Sequence, residues 1–244
     1  MAMMGWLKRN WRLVVGLLLL GAVLYLIIVP NFCGRPVAIT RQMRPGEQWR
    51  YTLVQTFQLK DQSAQLELRI TDTVKTVQPD GSAIVERTLE GDPEAIRALR
   101  EYMLPFGELR ERMRLRFTPE GEEIPLENTA MLLTSVPYAY PHRAVRVGEQ
   151  WEKLHTVGSM KTRYRCRLTG WERVEGAPCY KIVARAEPMP DSLPQIQGEI
   201  TVYLDAKRKW TRAIHGKLLM SAGSLQAHTT LELKGHPAEE GKTQ

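Results

Sequence analysis

The chain has 244 residues and a mass of 27.9 kDa, with 43% apolar, 25% charged and 7% aromatic residues and a mean hydropathy of −0.32. That balance excludes a polytopic membrane protein and equally a disordered or collagen-like chain, and the length suits an anchor segment with one domain of about 200 residues or two of about 100. The net charge of +7 falls to 31 basic against 27 acidic residues once Lys8, Arg9 and Arg12 are set aside. So small an excess, without an aromatic-interleaved basic motif, does not point to nucleic acid.

Residues 1–12 form a basic N-terminus carrying Trp6 and Trp11, and residues 13–29 are seventeen residues without a charge. At about 1.5 Å per helical residue the run covers roughly 26 Å, enough for a bilayer core, and its basic flank places the N-terminus in the cytoplasm. A cleaved signal peptide is the other reading, but the run exceeds the usual apolar region of about 7 to 15 residues and Pro30-Asn31-Phe32-Cys33-Gly34 offers no A-x-A-like site. Phe32 before Cys33 also disfavours lipidation. Gly16 and Gly21 are five apart and make no G-x-x-x-G dimerisation face. The expected location is the plasma (inner) membrane, single-pass, with the bulk of the chain outside the cytoplasm.

Residues 30–40 read as a linker, and the stretch from Arg35 to Arg44 carries no strand pattern. From there period-two alternation interrupted by turn signals predicts a β-rich domain. Trp49, Tyr51, Leu53, Gln55 and Phe57 fall on one face; Leu66, Leu68 and Ile70 lead to the Gln78-Pro79-Asp80-Gly81 turn, and Ala83-Ile84-Val85 returns. A helix is expected over 92–103, capped by Asp92 with Pro93 in its first position and an apolar stripe of Ile96, Leu99, Met103 and Leu104. A shorter helix over 128–134 would bring Met131, Leu132 and Leu133 to one end of the sheet. Residues 188–194 read as a proline loop, residues 200–233 as a three-stranded meander, and residues 235–244 as a frayed tail.

Arg41-Gln42-Met43-Arg44-Pro45-Gly46-Glu47-Gln48-Trp49 recurs as Arg143-Ala144-Val145-Arg146-Val147-Gly148-Glu149-Gln150-Trp151, six identities in nine at an offset of 102. Arg69-Ile70-Thr71 is expected to match Arg167-Leu168-Thr169, and the turn at Thr118-Pro119-Glu120-Gly121 to match Asp205-Ala206-Lys207-Arg208. The domain therefore reads as two repeats, 41–142 and 143–234, each strand, hairpin, crossover, hairpin. Trp49 and Trp151 are read first as core residues and second as a ligand-stacking pair.

A Val174-Glu175-Gly176-Ala177 turn would set Cys179 opposite Glu172 and leave Cys166 roughly 20 Å away at strand rise, so both thiols are expected free. His215 and His228 are placed as diagonal neighbours at about 7 to 8 Å, a poor metal site beside Lys217. The sequence holds no H-E-x-x-H, C-x-x-C, phosphate-binding glycine loop or G-x-S-x-G. Glu120, Glu122 and Glu123 read as a solvated hairpin. No catalytic residue, metal or cofactor is expected.

Two basic stripes stand out: Arg110, Arg112, Arg114 and Arg116, and Lys161, Arg163, Arg165 and Arg167. Read as strands, each sets four cations on one face, either a solvated outer surface or a surface for an anionic partner. A helix continuing through Glu108–Met113 would scatter the first stripe.

The Pro45-Gly46-Glu47-Gln48-Trp49-Arg50-Tyr51 and Val145-Arg146-Val147-Gly148-Glu149-Gln150-Trp151 segments, with the Asp80-Gly81 and Glu175-Gly176 hairpins, resemble a set of bacterial envelope proteins in which an anchor precedes a β-rich domain with recurring Gly-acid-x-Trp strand starts. More distantly the chain resembles the half-barrel of periplasmic lipoprotein carriers, a likeness that implies a concave apolar sheet and assigns no residue. The expected fold is mainly β, an internally duplicated antiparallel meander curved into a barrel or half-barrel, with one or two short helices and one transmembrane helix. The expected role is a non-catalytic binding or assembly module of the envelope, with partners drawn from the membrane, a lipid, an acidic envelope component or a protein. The alternative is a carrier of an apolar ligand on a face including Trp49, Trp151, Met131, Leu132 and Leu204, and a weaker alternative is an envelope hydrolase.

Overall fold

A computed structural model describes residues 34–238, apart from 60–61, 95, 98–99, 101–109, 128–135, 137–138, 158–159, 191, 193–194 and 223–224. The expected membrane span 13–29, the helix over 128–134 and residues 239–244 lie outside the described residues. No helix among the described residues is long and apolar enough to cross a membrane.

The alternating segments form eleven strands: β1 (Gln48–Leu59), β2 (Gln62–Val77), β3 (Ala83–Gly91), β4 (Arg112–Phe117), β5 (Glu123–Pro125), β6 (Gln150–Val157), β7 (Met160–Val174), β8 (Ala177–Pro188), β9 (Gln195–Asp205), β10 (Thr211–Ala222) and β11 (Leu225–Pro237). All belong to one antiparallel sheet, in the order β5-β4-β3-β2-β1-β11-β10-β9-β8-β7-β6. Two meanders are joined where the first strand pairs with the last, Leu53 opposite Leu233 and Trp49 opposite Pro237. Gly235, His236 and Pro237, expected to fray, are therefore strand. Their backbone hydrogen bonds to β1 override a turn-like composition.

The sheet curls. Five spacings of about 4.8 Å separate β4 from β10, roughly 24 Å in a flat sheet. Yet the Phe117 ring at the end of β4 lies 5.8 Å from Trp210, which immediately precedes β10. The face carrying Trp49, Tyr51 and Leu53 is thus the concave one, and the core is built on it from Leu68, Ile70, Val85, Leu115, Ile182, Val202 and Ile214. No ladder joins edge strands β5 and β6 among the described residues, so the sheet is an open one rather than a closed barrel. Strand β5 is three residues long and ends in Pro125, which has no donor to extend a ladder.

Both halves open with one device. Gly46 (φ +79°) and Gly148 (φ +93°) occupy the left-handed position of a turn closed by Glu47 N–H to the Arg44 carbonyl (3.1 Å) and Glu149 N–H to the Arg146 carbonyl (3.0 Å). Each glutamate turns back to accept from the Arg44 or Arg146 N–H, at 3.1 Å in both cases. Gly46 and Gly148 then donate to Val74 (2.8 Å) and Leu168 (2.7 Å). Both partner strands are bulged one step beyond, at Val74/Thr76 and Leu168/Gly170. The register makes Thr73-Val74-Lys75 the counterpart of Arg167-Leu168-Thr169, four residues beyond the expected Arg69-Ile70-Thr71. A short Arg/apolar/Thr likeness had stood in for the ladder.

Residues 35–44 are more than a linker, since Ile39, Arg41 and Met43 are buried. Asp92 caps a helical turn as its sequence predicts, accepting from Glu94 N–H through Oδ1 and from Ile96 N–H through its carbonyl, both at 2.9 Å. Strand β4 replaces any helix through Met113.

Cys179 stands opposite Glu172 on the convex face, and Cys166 faces Ala184 on the concave one; both are free. Burial pushes the Cys166 thiol up to about 12 and the Cys179 thiol up to about 11. In a Cys33→Ser background neither should react with an aromatic disulfide reagent at pH 8 until urea unfolds the domain, because the thiolate is the nucleophile. Stoichiometric labelling of the folded protein within minutes would contradict this.

Candidate functional site

The two ends of the concave face differ. At the turn end aromatic rings fill the curl: Trp49 stacks on Trp210 at 5.4 Å and 11°, and the Arg41 guanidinium lies 4.7 Å from the Phe117 centroid and 4.8 Å from that of Trp210. Arg41 arrives on a strap that crosses this end. Its N–H donates to the Pro119 carbonyl (2.7 Å), the Gln42 N–H to the Arg208 carbonyl (2.9 Å), and Trp210 Nε1–H to the Gln42 carbonyl (3.2 Å).

Behind the strap Arg87 binds both Asp72 oxygens, at 2.7 and 2.9 Å, and reaches Glu123 at 2.8 Å; Arg41 lies 3.9 Å from the other Glu123 oxygen. All four side chains are fully buried and their charges cancel. Burial works against the Arg87 charge, but Asp72 and Glu123 outweigh it and hold the guanidinium above its ordinary range. Tyr140 donates to the Lys209 carbonyl at 2.6 Å and receives Arg41 Nη2 at 3.4 Å. Burial, then the neighbouring Asp72, raises the Tyr51 hydroxyl well above its usual value. A neutral cluster shut from solvent closes this end. Glu123, expected in a solvated hairpin, belongs to it.

Toward the other end, the register strings concave-face residues into rows that cross the sheet. One row runs Lys153, Tyr164, Ala186, Gly198, Leu218, Thr229, Phe57 and Ala64, from β6 to β2. The row beside it runs Trp151, Cys166, Ala184, Ile200, Gly216, Leu231, Gln55 and Leu66. Ala184, Ala186, Gly198 and Gly216 make a low floor on β8 to β10, while Phe57, Leu218, Leu231 and Met220 are only half-buried. The β6 end is polar: Lys153 and His155 are half-buried on the concave face, and the Thr162 hydroxyl opposite His155 is buried with no hydrogen-bond partner. Burial lowers the pKa of both Lys153 and His155.

Of the residues expected to line an apolar ligand face, Trp49 and Leu204 lie in the sealed core, 2% and 0% exposed, because the curl packs the turn end against itself. Trp151 is half-buried on β6, six strand positions from Trp49, so the two tryptophans form no stacking pair. Met131 and Leu132 lie outside the described residues. Arg112, Arg114 and Arg116 line the convex face of β4 and Lys161, Arg163, Arg165 and Arg167 that of β7, all exposed, while Arg110 precedes β4. Acidic neighbours offset three of them: Arg110–Glu127 at 2.6 Å, Arg116–Asp80 at 2.9 Å, and Arg165 between Glu152 and Glu187, each at 2.9 Å. His215 pairs with Glu232 and His228 with Leu219, so the two are not the diagonal neighbours expected. The hairpin turns one residue later, which separates the histidines by four positions. Among the described residues no three His, Cys, Asp or Glu side chains converge on a metal position. A cleft of about 910 Å³ lies at the turn end around Arg44, Trp49, Asp205 and Arg208, where Arg208 pairs with Glu47 (3.6 Å) and Arg212 with Asp205 (3.9 Å).

Sequence reasoning missed Lys153, His155 and Thr162. Their signal was present in Trp151-Glu152-Lys153-Leu154-His155, where Lys153 and His155 alternate in step with Trp151 while Leu154, 59% exposed, points out.

No protein-family model matches the chain, and neither does any curated protein. Among solved structures it is similar to a DUF1329 family protein from Desulfovibrio piger, with 8% identity, a TM-score of 0.26 and coverage of 80% of this chain and 87% of that one. It is similar also to a domain from Vibrio parahaemolyticus described as an outer membrane lipoprotein-sorting protein (8% identity, TM-score 0.24, 79% and 86% coverage). A LolA superfamily protein from Nitrosomonas europaea is the third (8% identity, TM-score 0.21, 81% and 89% coverage). The likeness to lipoprotein-carrier domains thus recurs as a distant one. At these values it bears on neither site nor ligand.

Proposed function

We propose that the domain is a non-catalytic carrier or binder of an apolar ligand, held on the open end of its concave sheet. In this reading residues 13–29 tether it to the inner membrane with the domain outside the cytoplasm. The observation that supports the reading is the pair of rows across β6 to β2, where a floor of Ala184, Ala186, Gly198 and Gly216 is flanked by the half-buried Phe57, Leu218, Leu231 and Met220. A concave apolar face left part-exposed at one end and sealed at the other suits a chain-like guest. The assembly reading draws less support, because the basic stripes it would use are partly offset by acidic neighbours.

The test is native mass spectrometry of residues 35–244, secreted and purified without detergent, followed by lipid extraction. A stoichiometric acyl-chain ligand is expected, and Leu218→Arg should remove it while leaving the circular-dichroism spectrum unchanged. An apo mass for the native sequence would count against the reading.

A further inference from the structure

Charge is spread unevenly over the convex face. On β11, β1, β2 and β3 the signs mix across the ladder, with Lys234, Thr52, Arg69 and Glu90 in one row and Glu232, Val54 and Glu67 in the next. On β7 and β8 one sign dominates. Lys161, Arg163, Arg165 and Arg167 follow one another along β7 over roughly 20 Å at about 3.3 Å per residue, and Arg185 of β8 stands directly opposite Arg165. All five are exposed.

Like charges directly opposite each other on a ladder are destabilising. Three carboxylates share this part of the face. Glu152 and Glu187 both bind Arg165 at 2.9 Å, and Glu199 stands between Arg185 and Lys217 in the register. Even without Lys217, five cations against these three carboxylates leave an excess of two. Among the described residues no carboxylate lies within ion-pair distance of Lys161, Arg163, Arg167 or Arg185. Arg167 donates from Nε to the Gly148 carbonyl at 3.2 Å, a contact with a neutral group that leaves its charge in place.

Edge protection does not account for the stripe. Charge guards an edge from the outermost strand, whereas β7 is the second strand in. The outermost strand, β6, turns Leu154 to the same convex face, opposite Arg163 and 59% exposed. An exposed apolar side chain beside a row of cations suits a charged lipid surface, where the cations stay at the phosphates and the apolar group enters the acyl boundary. A soluble polyanion would use the arginines and give Leu154 nothing to bury against.

We infer that the convex face of β6 to β8 docks on a bilayer rich in anionic phosphate headgroups, with Arg163, Arg167 and Arg185 at the phosphates and Leu154 in the acyl boundary. Guanidinium forks match phosphate oxygens two at a time. The inference goes beyond the carrier reading and does not depend on it. Leu154 and Lys161 lie toward the open end of the sheet, so docking through them brings the part-exposed rows of the concave face close to lipid.

The test uses the full chain carrying Cys33→Ser and Thr156→Cys, labelled at position 156 with an environment-sensitive fluorophore and reconstituted into vesicles that contain a spin-labelled quencher lipid. Thr156 is exposed on the same face as Leu154, and the control label is at Gln65→Cys, exposed on the convex face of β2. Quenching at position 156 should be about fivefold stronger in phosphatidylcholine vesicles with about 30% phosphatidylglycerol than in phosphatidylcholine alone, with no such preference at position 65. The preference should fade at about 0.5 M salt. Arg163→Gln combined with Arg185→Gln should abolish it, the corresponding lysine pair should keep most of it, and Leu154→Ser should remove the blue shift of the emission. Equal quenching in the two kinds of vesicle, an equal preference at the two positions, or a preference untouched by the two glutamines would overturn the docking face. A response to soluble polyphosphate and to no vesicle would overturn the bilayer as partner and assign the stripe to a soluble polyanion.

Discussion

Arg87→Met is expected to lower the stability of the domain by about 3–5 kcal/mol, read as a fall in the urea midpoint. Methionine keeps much of the volume, so the loss is one of charge. Asp72 and Glu123 remain buried, and the remaining guanidinium, Arg41, approaches only Glu123, at 3.9 Å. Its other nitrogens face rings: Nε and Nη1 have no hydrogen-bond partner, and the group lies over Phe117, Trp210 and Tyr140. Arg41 cannot turn to Asp72 without leaving those rings. The matched control is Lys181→Met, which breaks an exposed pair with Glu172 at 2.9 Å and should cost under about 1 kcal/mol. Asp72→Leu combined with Arg87→Met should cost less than Arg87→Met alone, because it removes one of the two stranded carboxylates. The second half of the chain already carries the uncharged version. By register Asp72 corresponds to Cys166 and Arg87 to Ala184, which face each other as Asp72 and Arg87 do. A loss for Arg87→Met no larger than that of Lys181→Met would show that the cluster contributes nothing to closing this end.

How far the sequence foretells these features depends on the range of the interaction. Alternation is local, so the strands around Trp49–Phe57, Leu66–Ile70 and Ile200–Leu204 are legible, and so is the Asp92 cap. The pairing of β1 with β11 is not, since nothing in Tyr51 or Leu53 names Gly235 or Leu233 as a partner nearly two hundred residues away. Alignment of the repeats fails where the hairpins differ in length: Gly46 reaches Val74, 28 residues on, but Gly148 reaches Leu168, 20 residues on, so the Arg69–Arg167 likeness falls four residues off the ladder. Arg87 was readable in principle, because it alternates in step with Val85 and Leu89 and so shares their buried face. Its buried partner Glu123 was not, since three glutamates in four residues look like a solvated turn. The polar end at β6 escaped too. Lys153 and His155 point in, in step with Trp151, while the apolar Leu154 points out, a polar inner face that composition does not mark.

Gly198→Ala is expected to remove about 3 kcal/mol of stability and, where protein can still be recovered folded, to abolish ligand retention. Gly198 has φ +147°, a conformation that side-chain-bearing residues rarely adopt, and a Cβ there would sit 2.2 Å from the Lys217 carbonyl oxygen. The obstructing atom is backbone in the neighbouring strand, so no rotamer change relieves it. Gly46→Ala is the comparison, because Gly46 shares a positive φ (+79°) but a Cβ there meets nothing within 4 Å. It should cost only the conformational strain, about 1 kcal/mol. The difference between the two isolates the close approach of β9 to β10, and that approach lies in the floor of the rows where the chain of the ligand would lie. Gly198 pairs with Leu218 on one side and Ala186 on the other, so forcing β9 and β10 apart displaces the centre of the surface while leaving the sealed turn end in place. Gly198→Ala should therefore lose ligand at temperatures where circular dichroism still reports a folded sheet, whereas Arg87→Met should lose ligand only as the domain unfolds. If the two variants lost ligand and fold in parallel, the open end could not be assigned the binding surface separately from the rest of the sheet.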